Sequence, residues 1–382
     1  QKEMHLFCKK VITETAKYDK VFLIHWDDSE YQNNLYDQIN QISKDTTHTQ
    51  KIAILLGRQE PMYYVPTAQL PLQIINLMQC LKQNSLFALD LFFTDWMCDC
   101  YDGTFINFVE QNGHRCHVID LNFPVAPFDI GLQQSTDPQI DKISYNISHA
   151  NMAFRMHREL FSKFLIKNEL HKSQVVAIND KKSKLFAKNC IGDGNDVDNL
   201  MITHPLLYRD EWPYSQGLKD LWRDVPLVLH RHDSITKPEP DNESNHDSTD
   251  KPFILTAGVN IVSETVFDYP KKFITEKTMQ AILNNRPFVI IGPSGTLAYL
   301  RSKGLKTFDH IFDESYDLIQ DPNQRLEAIM NLVKKISAYP ISDIKQMVSK
   351  ATDVILHNHD KIVTLRKNLN KQAKDCIIRI CQ

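Results

Sequence analysis

Thr275, Glu276, Lys277 and Thr278 open an apolar run that continues to Leu283, and their types suit chemistry on an anion. A threonine at a helix N-cap leaves the next backbone N–H groups pointing outward, at the positive end of the helix dipole. A lysine in that first turn opposes the dipole, a placement that makes sense beside a phosphate. A glutamate there can accept from two ribose hydroxyls. The same segment also reads as an ordinary solvated helix start. Eleven residues upstream of Thr275, Glu264 sits in a β-rich run, where a buried carboxylate needs a partner. Downstream, Pro287-Phe-Val-Ile-Ile291 leads into Gly292-Pro-Ser294-Gly295, a turn that lets backbone approach a ligand at a strand end.

These residues require a strand, a loop, a helix, a strand and a Gly-containing turn, in that order. The wider chain repeats this alternation. Val21–Ile24, Lys51–Leu56, Leu86–Phe93 and His117–Leu121 are candidate strands of a first domain over residues 1–140. Ser144–Ile147, Gln174–Ile178, Ile254–Val262 and Pro287–Ile291 are strands of a second over 141–382, with helices at Phe154–Leu170, Glu276–Leu283 and Gly295–Lys303. Short apolar runs separated by helical segments imply an α/β chain with parallel sheets and crossover helices. Open sheets of this kind bind ligands at the carboxyl edge. Residues 234–250 are polar and acidic and read as a mobile surface loop. Residues 341–380 carry apolar positions stepped by three and four, interrupted at Asn358 and Gln372. Met347 and Val354 widen that face, which favours long helices packed on the body over a free coiled coil.

Composition excludes several alternatives. The chain has 11 glycines in 382 residues, against an average near ~7%. No glycines fit G-x-G-x-x-G, and none precedes Lys-Ser or Lys-Thr as a P-loop requires, so a phosphate site must use another device. The net charge of −3 and the absence of a long basic run argue against a general nucleic-acid groove. No stretch reaches the ~20 apolar residues of a membrane span, and the first residues lack an apolar h-region, so a cytoplasmic protein is expected. Cys98 and Cys100, with His114, Cys116 and His117, lack the usual zinc spacing, and no metal is expected.

The segment from Glu264 to Phe308 resembles the donor-site block of GT-B glycosyltransferases of the α1,3-fucosyltransferase and exostosin-like families. It is closer still to glycosyltransferases of phages and large DNA viruses. The likeness rests on Phe273-Ile-Thr-Glu-Lys-Thr278, Pro287-Phe-Val-Ile-Ile-Gly292, Leu297–Phe308 and the acidic Phe312–Asp317, with Leu305 where phenylalanine is usual. Asp313, Glu314 and Asp317 in themselves read as a solvated turn or a helix cap. Upstream, Arg155-x-His157-Arg158 resembles a basic helix start of the same proteins, or is the polar face of an amphipathic helix.

The resemblance implies two Rossmann-like domains facing a cleft, with the acceptor on the first and a nucleotide sugar on the second. A hexosyl- or fucosyltransferase-like activity and a host-cytoplasm setting follow from it. Glu276 would hold the ribose and Lys277 the diphosphate. Glu264 would face the donor, Arg155 and Arg158 would neutralise phosphate, and Thr275, Gly292, Ser294 and Gly295 would complete the donor site. Cationic side chains suffice to stabilise the leaving diphosphate, so no metal or other cofactor is required. In an inverting transfer Asp27, Asp28 or Asp95, each after a strand-like run, would take the acceptor proton. The alternative is a non-catalytic module of the same fold that binds a glycan or a partner inside a larger protein.

Overall fold

The computed structural model describes residues 2–15, 18–25, 51–57, 89–94, 110–111, 113–119, 137–151, 156–178, 255–268, 272 and 274–382. The chain divides into two compact units, residues 1–128 with 364–382, and residues 129–363. Asp27, Asp28, Asp95, Arg155, Cys98, Cys100 and the acidic stretch 234–250 lie outside the described residues.

In the first unit α1 (Lys2–Thr15) precedes four parallel strands, β1 (Lys20–His25), β2 (Ile52–Gly57), β3 (Leu89–Thr94) and β4 (Arg115–Ile119). They lie in sequence order, β1-β2-β3-β4. Ile52, Ala53, Ile54, Leu55, Leu91 and Phe92 are buried, which is why these runs are continuously apolar rather than alternating. Cys8, Val11 and Ile12 of α1 share this core with Leu369, Ala373, Cys376 and Ile377 from the end of the chain. Asp90 and His114 are buried polar groups of this unit. Asp90 accepts both nitrogens of the Arg115 fork at 2.6 Å and the Tyr18 hydroxyl. Burial raises its pKa, but these donors and His117 outweigh that and hold it near 2.

The second unit holds β5 (Tyr145–Asn151), α2 (Met156–Lys167), β6 (Val175–Ile178), β7 (Ala257–Ser263), α3 (Glu276–Leu283), β8 (Phe288–Ile291) and α4 (Thr296–Ser302). Its strands are again parallel, in the order β6-β5-β7-β8. Three helices follow, α5 (Pro322–Ser337), α6 (Ile341–Lys350) and α7 (Thr352–Cys381). Asp321 caps α5 by accepting from Gln324 N at 2.8 Å, with Pro322 in its first turn. Every residue of β7 is buried, as befits a central strand. The α/β architecture, the two parallel sheets and the long helical tail agree with the sequence-derived expectation. No helix among the described residues is long and apolar enough to cross a membrane.

The tail packs on the body along one stripe. Ile344, Val348, Ala351, Ile355 and Ile362 are buried in it. Asn358, a polar break in the apolar spacing, is also buried. Its amide brackets Lys306, accepting from the backbone N–H and donating to the carbonyl, both at 2.8 Å. At Gly258 on β7, a Cβ would stand 2.1 Å from Cγ2 of Ile344, so α6 rests directly on glycine backbone. Gly258→Ala should therefore lower the unfolding free energy by about 1–3 kcal/mol, read from the urea midpoint at constant slope.

Arg286, 1% exposed, pins the start of β8. It donates to the carbonyls of Ala257 at 2.7 Å, Leu255 at 2.6 Å, Asn285 at 3.0 Å and Pro138. Burial lowers its pKa to about 10, still high enough to keep the charge at neutral pH.

His149 lies in the middle of β5, opposite Ile261, with no exposed surface. Nδ1–H donates to the Ile261 carbonyl at 3.0 Å, and Nε2 has no hydrogen-bond partner among the described residues. Burial, with a smaller push from Arg158, lowers its pKa to about 4 against the opposing backbone bond. A histidine with a lowered folded pKa stabilises the fold fully above its unfolded pKa of about 6.5, and the contribution is lost as pH falls towards 4. This should cost about 3 kcal/mol across that window, and His149→Phe should flatten the loss in denaturation measured from pH 7 to pH 4.

Candidate functional site

The site candidate is built at the carboxyl edge of β7 and β8, where Ser263 pairs with Ile291 and the chain leaves both strands. Thr275 is extended, with φ −111° and ψ −179°, and its side chain accepts from Lys277 N at 3.3 Å. That geometry is an N-cap, so α3 begins at Glu276 as the residue pattern implies.

Glu264 is the hub beneath this helix start. It is fully buried. Both carboxylate oxygens accept from Thr275 N at 3.1 Å, Oε1 accepts from the Thr278 hydroxyl at 2.5 Å, and Oε2 accepts from the Thr275 hydroxyl. Burial raises its pKa, against the pull of Lys277 and the threonine donors. The Glu264 carbonyl is held as firmly. It accepts from His157 Nε2 and from Arg158 Nη2, each at 2.9 Å. Arg158 also donates to the Ser263 carbonyl at 3.1 Å, and the His157 ring stacks on Phe267 at 5.3 Å between centroids. One residue thus fastens the end of β7 to α2 through its backbone and to α3 through its side chain.

Glu276 and Lys277 stand above this buried framework and are partly exposed, 30% and 27% by side chain. Lys277 Nζ is 2.5 Å from Glu276 Oε1 and donates to Thr275 Oγ1 at 3.4 Å. Burial works to raise the Glu276 pKa, but Lys277, the backbone and Arg158 prevail and lower it, so Glu276 is an anion at neutral pH. The helix start therefore presents one carboxylate and one ammonium side by side, on a base that other residues hold rigid.

The second turn is arranged differently. Gly295 has φ +76°, the left-handed region that favours glycine, and the Lys272 side chain lies over it, with Cε 3.2 Å from where a Cβ would be. At Gly292 a Cβ would come 3.2 Å from Ile290 Cγ2 and 3.3 Å from Thr296 Oγ1. The α4 start already has its anion. Asp317, 2% exposed, accepts from Leu297 N at 2.9 Å and Ala298 N at 3.1 Å. Its carbonyl accepts from Gly295 N at 2.7 Å and from the Ser294 hydroxyl at 3.1 Å. Gln320 Nε2 donates to Ser294 Oγ at 2.8 Å. The eight-residue α3 carries Glu276 and Lys277 in its own first turn, whereas the first turn of α4 has no charged residue and Lys272 reaches its N-cap from outside.

The structure thus brings Arg158, Glu264, Thr275, Glu276 and Lys277 together at one helix start, and Gly292, Ser294 and Gly295 at the neighbouring turn. The acidic stretch Asp313–Asp317 holds the cap that sequence reading offered as one option, serving α4 some 20 residues upstream in the chain. Glu314 accepts from Phe308 N at 2.6 Å and from Arg301 at 3.2 Å. Sequence reasoning missed Lys272, Arg286, Asp317 as a specific cap, and Arg325. For Arg325 a signal exists. It shares a stripe with Ile329, Val333 and Ile336 on the buried side of α5, where a cation is out of place. Among the described residues no three His, Cys, Asp or Glu side chains cluster as metal ligands would.

No protein-family model matches the chain, and no curated protein matches it. Among solved structures it is similar to a trehalose-6-phosphate synthase studied for glycosyl transfer with retention. The identity is 12% and the TM-score 0.39, over 96% of this chain and 78% of that one. A likeness of that degree assigns neither family nor activity.

Proposed function

We propose that this protein is a glycosyltransferase of GT-B type that moves a sugar from a nucleotide-sugar donor to an acceptor hydroxyl. The observation that carries this reading is the Glu276–Lys277 pair on a capped helix start at the carboxyl edge of a parallel sheet. In this reading Glu276, kept anionic, accepts from the ribose hydroxyls, and Lys277 turns its ammonium from Glu276 to the diphosphate. The helix dipole and Arg158 add positive potential behind the leaving group, and the sequence resemblance gives Arg155 the same role. Thr275 and Glu264 position the helix start. Glu264 acts through Thr275 and Thr278, since its carboxylate is already taken up by them. Gly292, Ser294 and Gly295 let the turn after β8 lie close to the donor.

When the acceptor oxygen attacks the anomeric carbon, the bond to the diphosphate oxygen breaks and the electron pair leaves with the diphosphate. Lys277 stabilises that charge more than the charge of the bound donor, which is the condition for acceleration. In an inverting transfer the acceptor proton goes to Asp27, Asp28 or Asp95 of the first unit. The donor sugar is fucosyl- or hexosyl-like, as the sequence resemblance implies, no metal takes part, and the setting is the cytoplasm, of a host cell if the gene is viral.

The reading is tested by thermal shift against GDP-, UDP-, CMP- and dTDP-sugars. One nucleotide class should raise the melting temperature in a concentration-dependent way, because a ligand that binds only the folded state stabilises it. A shift without sugar turnover or transfer would point to a non-catalytic module. No shift with any class would remove the donor-site assignment.

A further inference from the structure

Arg325 is not one of the donor-site residues, yet it touches both the loop after β7 and the turn after β8. It is 2% exposed on the inner face of α5. Nε donates to the Gly292 carbonyl at 3.2 Å and Nη2 to the Phe267 carbonyl at 3.0 Å. Nη1 donates to Ile319 at 2.7 Å and Gln320 at 3.0 Å. The guanidinium also stacks on the Phe267 ring at 4.5 Å. Among the described residues all its hydrogen-bond acceptors are backbone carbonyls, while the carboxylates of Asp268, Asp317 and Asp321 favour its charge from farther off. A buried cation satisfied in this way is costly, and an apolar residue would fill the stripe of α5 more cheaply.

What the guanidinium gains is geometry. Its fork spans three chain segments at once: the loop after β7 that leads from Glu264 towards α3, the Gly292 turn after β8, and the Ile319–Gln320 stretch. That last stretch follows Asp317, which holds Gly295 and the start of α4. A lysine at the same place keeps the charge but is a point donor on a flexible stem and cannot span these carbonyls. Without the fork, the loop after β7 and the turn after β8 can separate while each strand stays in its sheet.

We infer that Arg325 is a positioning residue that locks the loop after β7 to the turn after β8 and so fixes the diphosphate end of the donor site. The inference rests on the donor-site reading given above. It is tested by calorimetric titration of UDP and GDP, and of uridine and guanosine, into the full chain and into Arg325→Lys and Arg325→Met. All measurements are made at a temperature where circular dichroism shows every variant folded. Affinity for the bound nucleoside diphosphate should fall about tenfold or more in Arg325→Lys, and further in Arg325→Met, while affinity for the matching nucleoside changes little. A merely structural arginine would weaken both ligands together or neither, and either result overturns the inference. If Arg325→Lys will not stay folded, Phe267→Leu, which removes only the stacked ring, should show the same selective loss in smaller measure; its absence overturns the inference too. If neither UDP nor GDP is bound, dTDP is titrated with thymidine in the same way, and failure of the wild-type chain to bind any of the three diphosphates would overturn the donor-site reading, and this inference with it.

Discussion

Replacing Glu264 by alanine should lower the unfolding free energy of the second unit by about 3–5 kcal/mol, the largest stability effect expected for a single residue near the site. The side chain has no exposure and is the shared acceptor of the Thr275 N–H, the Thr275 hydroxyl and the Thr278 hydroxyl. Its removal leaves those donors buried without a partner. Each such group costs about 1–3 kcal/mol, and a cavity adds to the loss. Glu264→Gln should cost less, about 1–2 kcal/mol, because the amide keeps one acceptor and sets its NH2 group against the threonine donors. Urea unfolding monitored by circular dichroism gives both values. A loss below about 1 kcal/mol for Glu264→Ala would show that the carboxylate is not what holds the start of α3.

Lys277→Ala should have the opposite profile, with a large loss of function and almost no change in stability. The side chain is partly exposed, and its partner Glu276 is equally so. A pair of this kind contributes about 0–1 kcal/mol, and losing a cation at a helix N-terminus removes an unfavourable dipole interaction that offsets part of that. Stability should therefore stay within about 1 kcal/mol. Against the leaving diphosphate the same ammonium makes a charge-assisted contact that strengthens as charge develops. Its loss should lower kcat/KM for glycosyl transfer by about 100- to 1000-fold, with nucleoside diphosphate affinity falling as well. Lys277→Arg should recover part of both, since the charge is kept and only its shape changes. Unchanged nucleotide affinity in Lys277→Ala would sink the site assignment even if stability behaved as described.

The contrast between these two residues shows what a sequence can and cannot disclose. The strands were legible because their apolar runs are buried on both faces, as in Ile52–Leu55 and Phe288–Ile291. The start of α3 was legible because an N-cap threonine, a charged first turn and an apolar face lie within a few adjacent residues. Glu264 could be marked as a carboxylate needing a partner, but nothing local says the partner is a helix start eleven residues on. Asp317 caps a helix whose first turn precedes it by twenty residues, and Arg325 bonds to Phe267 from 58 residues away. Contacts of this kind follow from sheet order and helix placement, which periodicity does not encode. The tail makes the same point. Its spacing of three and four reveals a packed helix, whereas the pairing of Leu369, Ala373 and Cys376 with Cys8 and Ile12 of α1 is a matter of topology alone.

The central claim is that the α3 start binds a nucleoside diphosphate, and titration calorimetry of UDP, GDP and dTDP into the wild-type chain and into Lys277→Ala tests it most directly. Saturable binding of one diphosphate by the wild type, weakened at least tenfold in Lys277→Ala, is the expected result. Equal affinities in the two proteins, or no binding by the wild type, would contradict the account.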